Sequence, residues 1–110
     1  MTAELALALP LLVALTIGLV WLLSVGAAQV RAVDAARETA RAVARGDDVG
    51  AAVAAGERVV PEGGSVSVTS SGGRVRAEAV AQVDGPGGLF GFLPSVTVRA
   101  DAEALAEEEP

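Results

Sequence analysis

The sequence predicts an α+β protein. Its parts are a long N-terminal helix, transmembrane in its first half and amphipathic in its second, a short second helix, and a small three-stranded antiparallel sheet. Three observations predict it. No charged residue occurs between Leu5 and Val30. From Arg31 to Gly46 apolar residues recur at helical spacing. After Pro61 the period falls to two, in three successive segments.

The uncharged run is long enough, at ~1.5 Å per residue, to cross a hydrocarbon core of ~30 Å. It is too long for the apolar core of an ordinary signal peptide. Ala27-Ala28-Gln29 loosely imitates a small-residue cleavage site, which keeps a cleaved secretory signal as an alternative. No break follows, and the helical pattern continues into QVRAVDAARETARAVARG. There Arg31, Asp34, Arg37, Glu38, Arg41 and Arg45 line a polar face, with opposite charges three apart. Val33, Ala36, Ala40 and Val43 form the apolar stripe. Gly46 is a natural stop, so the helix should run for roughly 40 residues. Asp47 or Asp48 can cap a second helix, VGAAVAAGERVV, which must end at Pro61.

The strands follow. In SVSVTS, Val66 and Val68 share a face, and SSGG makes the turn. In RVRAEAVAQVD, Val75, Ala77, Ala79, Ala81 and Val83 oppose Arg74, Arg76, Glu78, Gln82 and Asp84. In SVTVRADAEA, Val96, Val98, Ala100, Ala102 and Ala104 oppose Ser95, Thr97, Arg99, Asp101 and Glu103. Such a sheet has one wet face and one that needs a cover, which the stripe on the first helix can supply. The expected organisation is a transmembrane helix segment over residues 1–30 and an amphipathic helical segment over 31–60. A small β-sheet region over 61–104 and an acidic tail over 105–110 complete it. Between the last two strands, GPGGLFGFLP holds both phenylalanines. Leu89, Phe90, Phe92 and Leu93 either fold beneath the sheet or form a contact surface for a partner or the membrane.

Composition narrows the chemistry. The chain is 52% hydrophobic but only 3% aromatic, so its packing must rest on close backbone approach between small residues. Without Cys or His there is no thiol and no imidazole, and without Lys a serine nucleophile has no activating amine. Asp47-Asp48 reads as a helix cap, and Asp101 with Glu103 as solvated charges on a strand. The glycines make no phosphate-cradling pattern. The expectation is therefore no enzyme, no cofactor and no metal. A net charge of −6 argues against nucleic acid as a partner.

One acid, Glu4, sits at the head of the apolar run. It can be an ordinary interfacial carboxylate, favoured by the helix dipole. Alternatively, in a bundle of packed helices, it needs a positive partner, the nearest being a neighbour's α-amino group. That pairing would specify register, because a slipped helix leaves the charge unpaired. Pro10 can loosen the helix so that it bends on leaving a bilayer, or can simply be tolerated near the helix start.

Two stretches carry a family resemblance. MTAELALALPLLVAL, with Glu4, the apolar run and Pro10, resembles the start of TadE-like pilins, the minor pilins or pseudopilins of the tight-adherence (Tad) branch of type IV pili. QVRAVDAARETARAVARG resembles that family's post-membrane segment, so the likeness covers residues 3–46. It implies a structural and assembly subunit of a pilus, with Glu4 in the place of the acid that follows the processing site. A prepilin peptidase would remove a basic leader upstream of Met1. Membrane lipid, other pilin subunits and the Tad assembly machinery would be its partners. Charge alone would hold the Arg-bearing region after the span inside the cell. The resemblance places it outside the cytoplasmic membrane, single-pass, and at the cell surface in an assembled pilus. That is the placement expected. The rival readings are a single-pass anchored domain with an unrelated protein partner and a secreted domain.

Overall fold

The computed structural model describes residues 2–86 and 95–107. Leu89, Phe90, Phe92 and Leu93, and residues 108–110 of the acidic tail, lie outside the described residues. The elements are α1 (Ala3–Ala44), α2 (Val49–Val59), β1 (Ser65–Ser71), β2 (Arg74–Val83) and β3 (Val96–Leu105). The strands form one antiparallel sheet in the order β1-β2-β3, and the molecule is a rod of 76 × 19 × 17 Å.

Local chemistry sets the ends of α1. Thr2 is the N-cap, its hydroxyl accepting from the Leu5 N–H at 3.3 Å. At the other end Gly46 takes φ +97°, a conformation that side chains oppose. The Gly46 N–H then reaches the Val43 carbonyl at 3.1 Å and the Asp47 N–H the Ala42 carbonyl at 3.0 Å, a Schellman closure. The Ala44 carbonyl accepts from the Glu107 N–H at 2.8 Å, so the chain end after β3 is tied to the end of α1. Asp48 caps α2, its carboxylate accepting from the Ala51 N–H at 3.0 Å. At the β1–β2 hairpin, Gly72 and Gly73 both have positive φ, as a two-residue type I′ turn requires.

The cover over the sheet differs from the predicted stripe. Ala36 and Ala40 are buried, but Val33 and Val43 are only half-buried, at the margins. The centre is Ala28, Ala32, Ala35 and Ala36, packed with Val66, Ala79, Ala81, Val98 and Ala100. Alanine lets the backbones of helix and sheet approach closely, so the narrow side of α1 faces the sheet. The wider valines are displaced to the edges, where there is room. Among the described residues the largest fully buried side chain is Thr39. A core of this kind removes little area per residue from water, so its packing has little slack.

On the outer face, Arg76 pairs with Asp101 at 2.8 Å and Arg74 approaches Glu103 at 3.9 Å. Asp101 and Glu103, read from the sequence as solvated charges, are exposed and lie beside cross-strand arginines. All four side chains are exposed, so each pair contributes at most about 1 kcal/mol.

Helix α2 rests on α1 where Gly56 meets Thr39. A methyl group on Gly56 would collide with the buried Thr39 hydroxyl, which has no hydrogen-bond partner. Gly56→Ala is expected to destabilise the fold by about 1–3 kcal/mol, the usual range for overpacking. Thr39→Ala in the same chain should recover much of that loss. A urea-denaturation double-mutant cycle measures the coupling, and strictly additive changes would show that the two residues do not compete for the same space.

Candidate membrane and assembly segment

The site predicted at the N-terminus is a surface of α1. From Ala3 to Leu23 large apolar side chains point outward on every side; Leu7 is 77% exposed and Leu23 is 74% exposed. A helix apolar all round needs an apolar medium. These 21 residues span about 31 Å, close to the ~30 Å of a hydrocarbon core. The few polar groups within are satisfied locally. The Thr16 hydroxyl donates to the Leu12 carbonyl at 2.8 Å, and the Ser24 hydroxyl to the Val20 carbonyl at 3.1 Å.

The sheet-covered half begins before the uncharged run ends. Val25 packs against the core, Ala28 is buried in it, and the Gln29 side-chain amide donates to the Arg99 carbonyl at 3.0 Å. Within residues 25–30, Val25, Ala28 and Gln29 serve the sheet, while Val30 remains exposed. The boundary is marked by Trp21, whose indole N–H donates to the Asp84 carbonyl at 3.1 Å. Sequence periodicity gave no signal for this contact, which joins residues 63 apart. The lone tryptophan inside an apolar run was the one available hint, since tryptophan collects at membrane interfaces.

Glu4 lies in the first turn of α1, exposed, and no described residue pairs with it. Its place suits the dipole, and the next charge along the chain is Arg31. Pro10 is also exposed, and α1 continues through it. Its missing N–H leaves the Ala6 carbonyl without its usual helical donor. The structure therefore brings Glu4 and Pro10 together only as points along one free helix, at a distance from the folded unit. No group of three or more acidic side chains able to hold a metal occurs among the described residues.

Comparison with known proteins finds a likeness confined to α1 and the residues before it. Residues 1–41 match the family model described as TadE-like protein. No curated protein and no solved structure matches the chain. The family match covers the membrane-length half of α1 and most of its sheet-covered half, and stops before α2 and the sheet. Its apolar helix is compatible with a membrane-anchored protein associated with the Tad pilus system. Over residues 1–41 the chain is similar to the family described as TadE-like protein.

Proposed function

We propose that the chain is a pilin-like structural or assembly subunit of a tight-adherence type IV pilus. It is held in the cytoplasmic membrane by the Ala3–Leu23 part of α1 before incorporation, with the sheet on the outer side. It performs no reaction of its own. The observation that carries this reading is the family match over a helix whose free half is apolar on all sides. In an assembled filament that surface would pass from lipid to the same surface of other pilin subunits, which satisfies it equally well. Cleavage of any leader upstream of Met1 falls to a prepilin peptidase.

The continuity of α1 favours this over a secreted domain. Cleavage at Ala27-Ala28-Gln29 would cut α1 in mid-helix and strip Val25 from the sheet, leaving Ala32, Ala35 and Ala36 on a shortened cover.

The test is made in the native host. The chain is expected in the membrane pellet after alkaline carbonate, and also in sheared surface filaments or bound to other pilins. Its deletion should lower pilus yield. Recovery of the full chain in the soluble fraction would contradict the anchor. A carbonate-resistant chain never found with pilins, whose deletion leaves pili unchanged, would instead be an anchored domain with an unrelated partner.

A further inference from the structure

The strand directions place specific ends of the sheet near the membrane segment. β2 starts at Arg74, beside the C-terminal end of α1, where Ala106 N–H donates to the Gly73 carbonyl and Glu107 N–H to the Ala44 carbonyl. It ends at Val83, one residue before the carbonyl that Trp21 holds. The β1–β2 hairpin is therefore the far end of the rod, and the β2 exit is the near end. Beyond Trp21 the contact continues along the free helix. Pro86 borders an open apolar groove with Leu15, Gly18, Leu19 and Leu22. Ala14, Gly18 and Trp21 are half-buried, while most of their neighbours around the helix are exposed. At spacings of four and three, these residues extend the Val25–Ala28 stripe into the membrane-length segment.

We propose that the β2 exit at Asp84–Pro86 is a second membrane contact. The folded unit then sits directly on the lipid surface, with Trp21 at the boundary and Pro86 just within its apolar side. This rests on the reading of α1 as a membrane anchor. The groove is continuous with the segment that faces lipid, so acyl chains are its occupant. The one polar group of its described lining is the Trp21 indole N–H, which the Asp84 carbonyl already satisfies, and no charged residue occurs between Asp84 and Arg99. Trp21 has the amphipathic character of an interfacial anchor: its ring is apolar and its N–H is already satisfied by protein. Attraction to anionic headgroups does not drive the contact, because Glu62 and Asp84 border the cavity beside it, with Arg31 the only basic residue among the described residues there. Insertion at this end should therefore be insensitive to salt.

The chain has no cysteine, so single spin labels report cleanly. Pro86→Cys, Leu15→Cys and Ser71→Cys are each labelled in the full chain, in vesicles of phosphatidylcholine with and without phosphatidylglycerol. Collisions of the label with oxygen and with a water-soluble nickel complex are compared. The native Trp21 emission serves as a check that the fold around Pro86→Cys is intact. Leu15 should read as bilayer interior and Ser71 as water. The oxygen-to-nickel ratio at Pro86 should lie between them, several-fold above Ser71, and be unchanged by 0.5 M salt, about three times physiological ionic strength. A Pro86 label matching Ser71, with Leu15 still in the bilayer, overturns the second contact and leaves the anchor standing. A Leu15 label that reads as water overturns both. A Pro86 label shielded from oxygen and nickel alike marks a protein surface in place of lipid, and overturns the proposal.

Discussion

A chain carrying Ala79→Leu is expected to keep its membrane segment and lose its folded sheet. Ala79 lies in the central strand, paired with Val66 on one side and Ala100 on the other, and is fully buried among Ala32, Ala35 and Ala36. Leucine adds three carbons where helix and sheet are already in close contact. Overpacking costs about 1–3 kcal/mol and at times more. A unit this small has little stability to lose. Protease treatment of the membrane-embedded protein tests this: the wild type should yield a protected extramembrane fragment, and the variant should be digested back toward the bilayer. Ser67→Leu, on the exposed face of β1, adds comparable bulk and should leave protection nearly unchanged. Equal protection of the Ala79→Leu and wild-type chains would show that the alanine interface has room to spare.

The second large effect is expected at Glu4. If this carboxylate pairs with a neighbour's amino group inside a dry helix bundle, Glu4→Gln leaves that amine uncompensated. Loss of one partner of a buried pair costs about 3–5 kcal/mol, enough to abolish ordered packing. In a lone membrane helix the same change is almost neutral, because a carboxylate in the exposed first turn can reach the interface. Glu4→Gln should therefore leave membrane levels intact and sharply lower the yield of surface pili, or the recovery of the chain with other pilins. Equal yields from mutant and wild type, at equal membrane levels, would reduce Glu4 to an interfacial acid.

Much of the architecture was already legible in local patterns. Gly46 and the Asp47-Asp48 pair mark helix ends through hydrogen bonds that reach only a few residues, whereas the Thr2 cap came from the structure. The Gly72-Gly73 pair dictates a tight hairpin, and the alternation of Val and Ala against charged residues declares two-faced strands. Each of these signals lies within a single element. Of the candidate site, the apolar run was legible as a membrane-length helix, and the family likeness that covers it is confined to this helix; the roles of Glu4 and Pro10 are left to experiment.

What only the tertiary structure decided concerns contacts between elements. Lipid and a covering sheet demand the same thing of a helix, an absence of charge, so the run from Leu5 to Val30 could not reveal that its last turns belong to the sheet. Alanine is apolar but small, and it does not stand out in a periodic pattern. The predicted stripe of Val33, Ala36, Ala40 and Val43 was therefore right in its two alanines and wrong in placing the valines at the centre, where Ala28, Ala32 and Ala35 join Ala36. The bond from Trp21 to Asp84, the seat of Gly56 on Thr39 and the pairing of Arg76 with Asp101 join residues distant in sequence. No periodicity within one segment encodes such meetings. They follow from how closely two backbones can approach, which depends on the side chains of both.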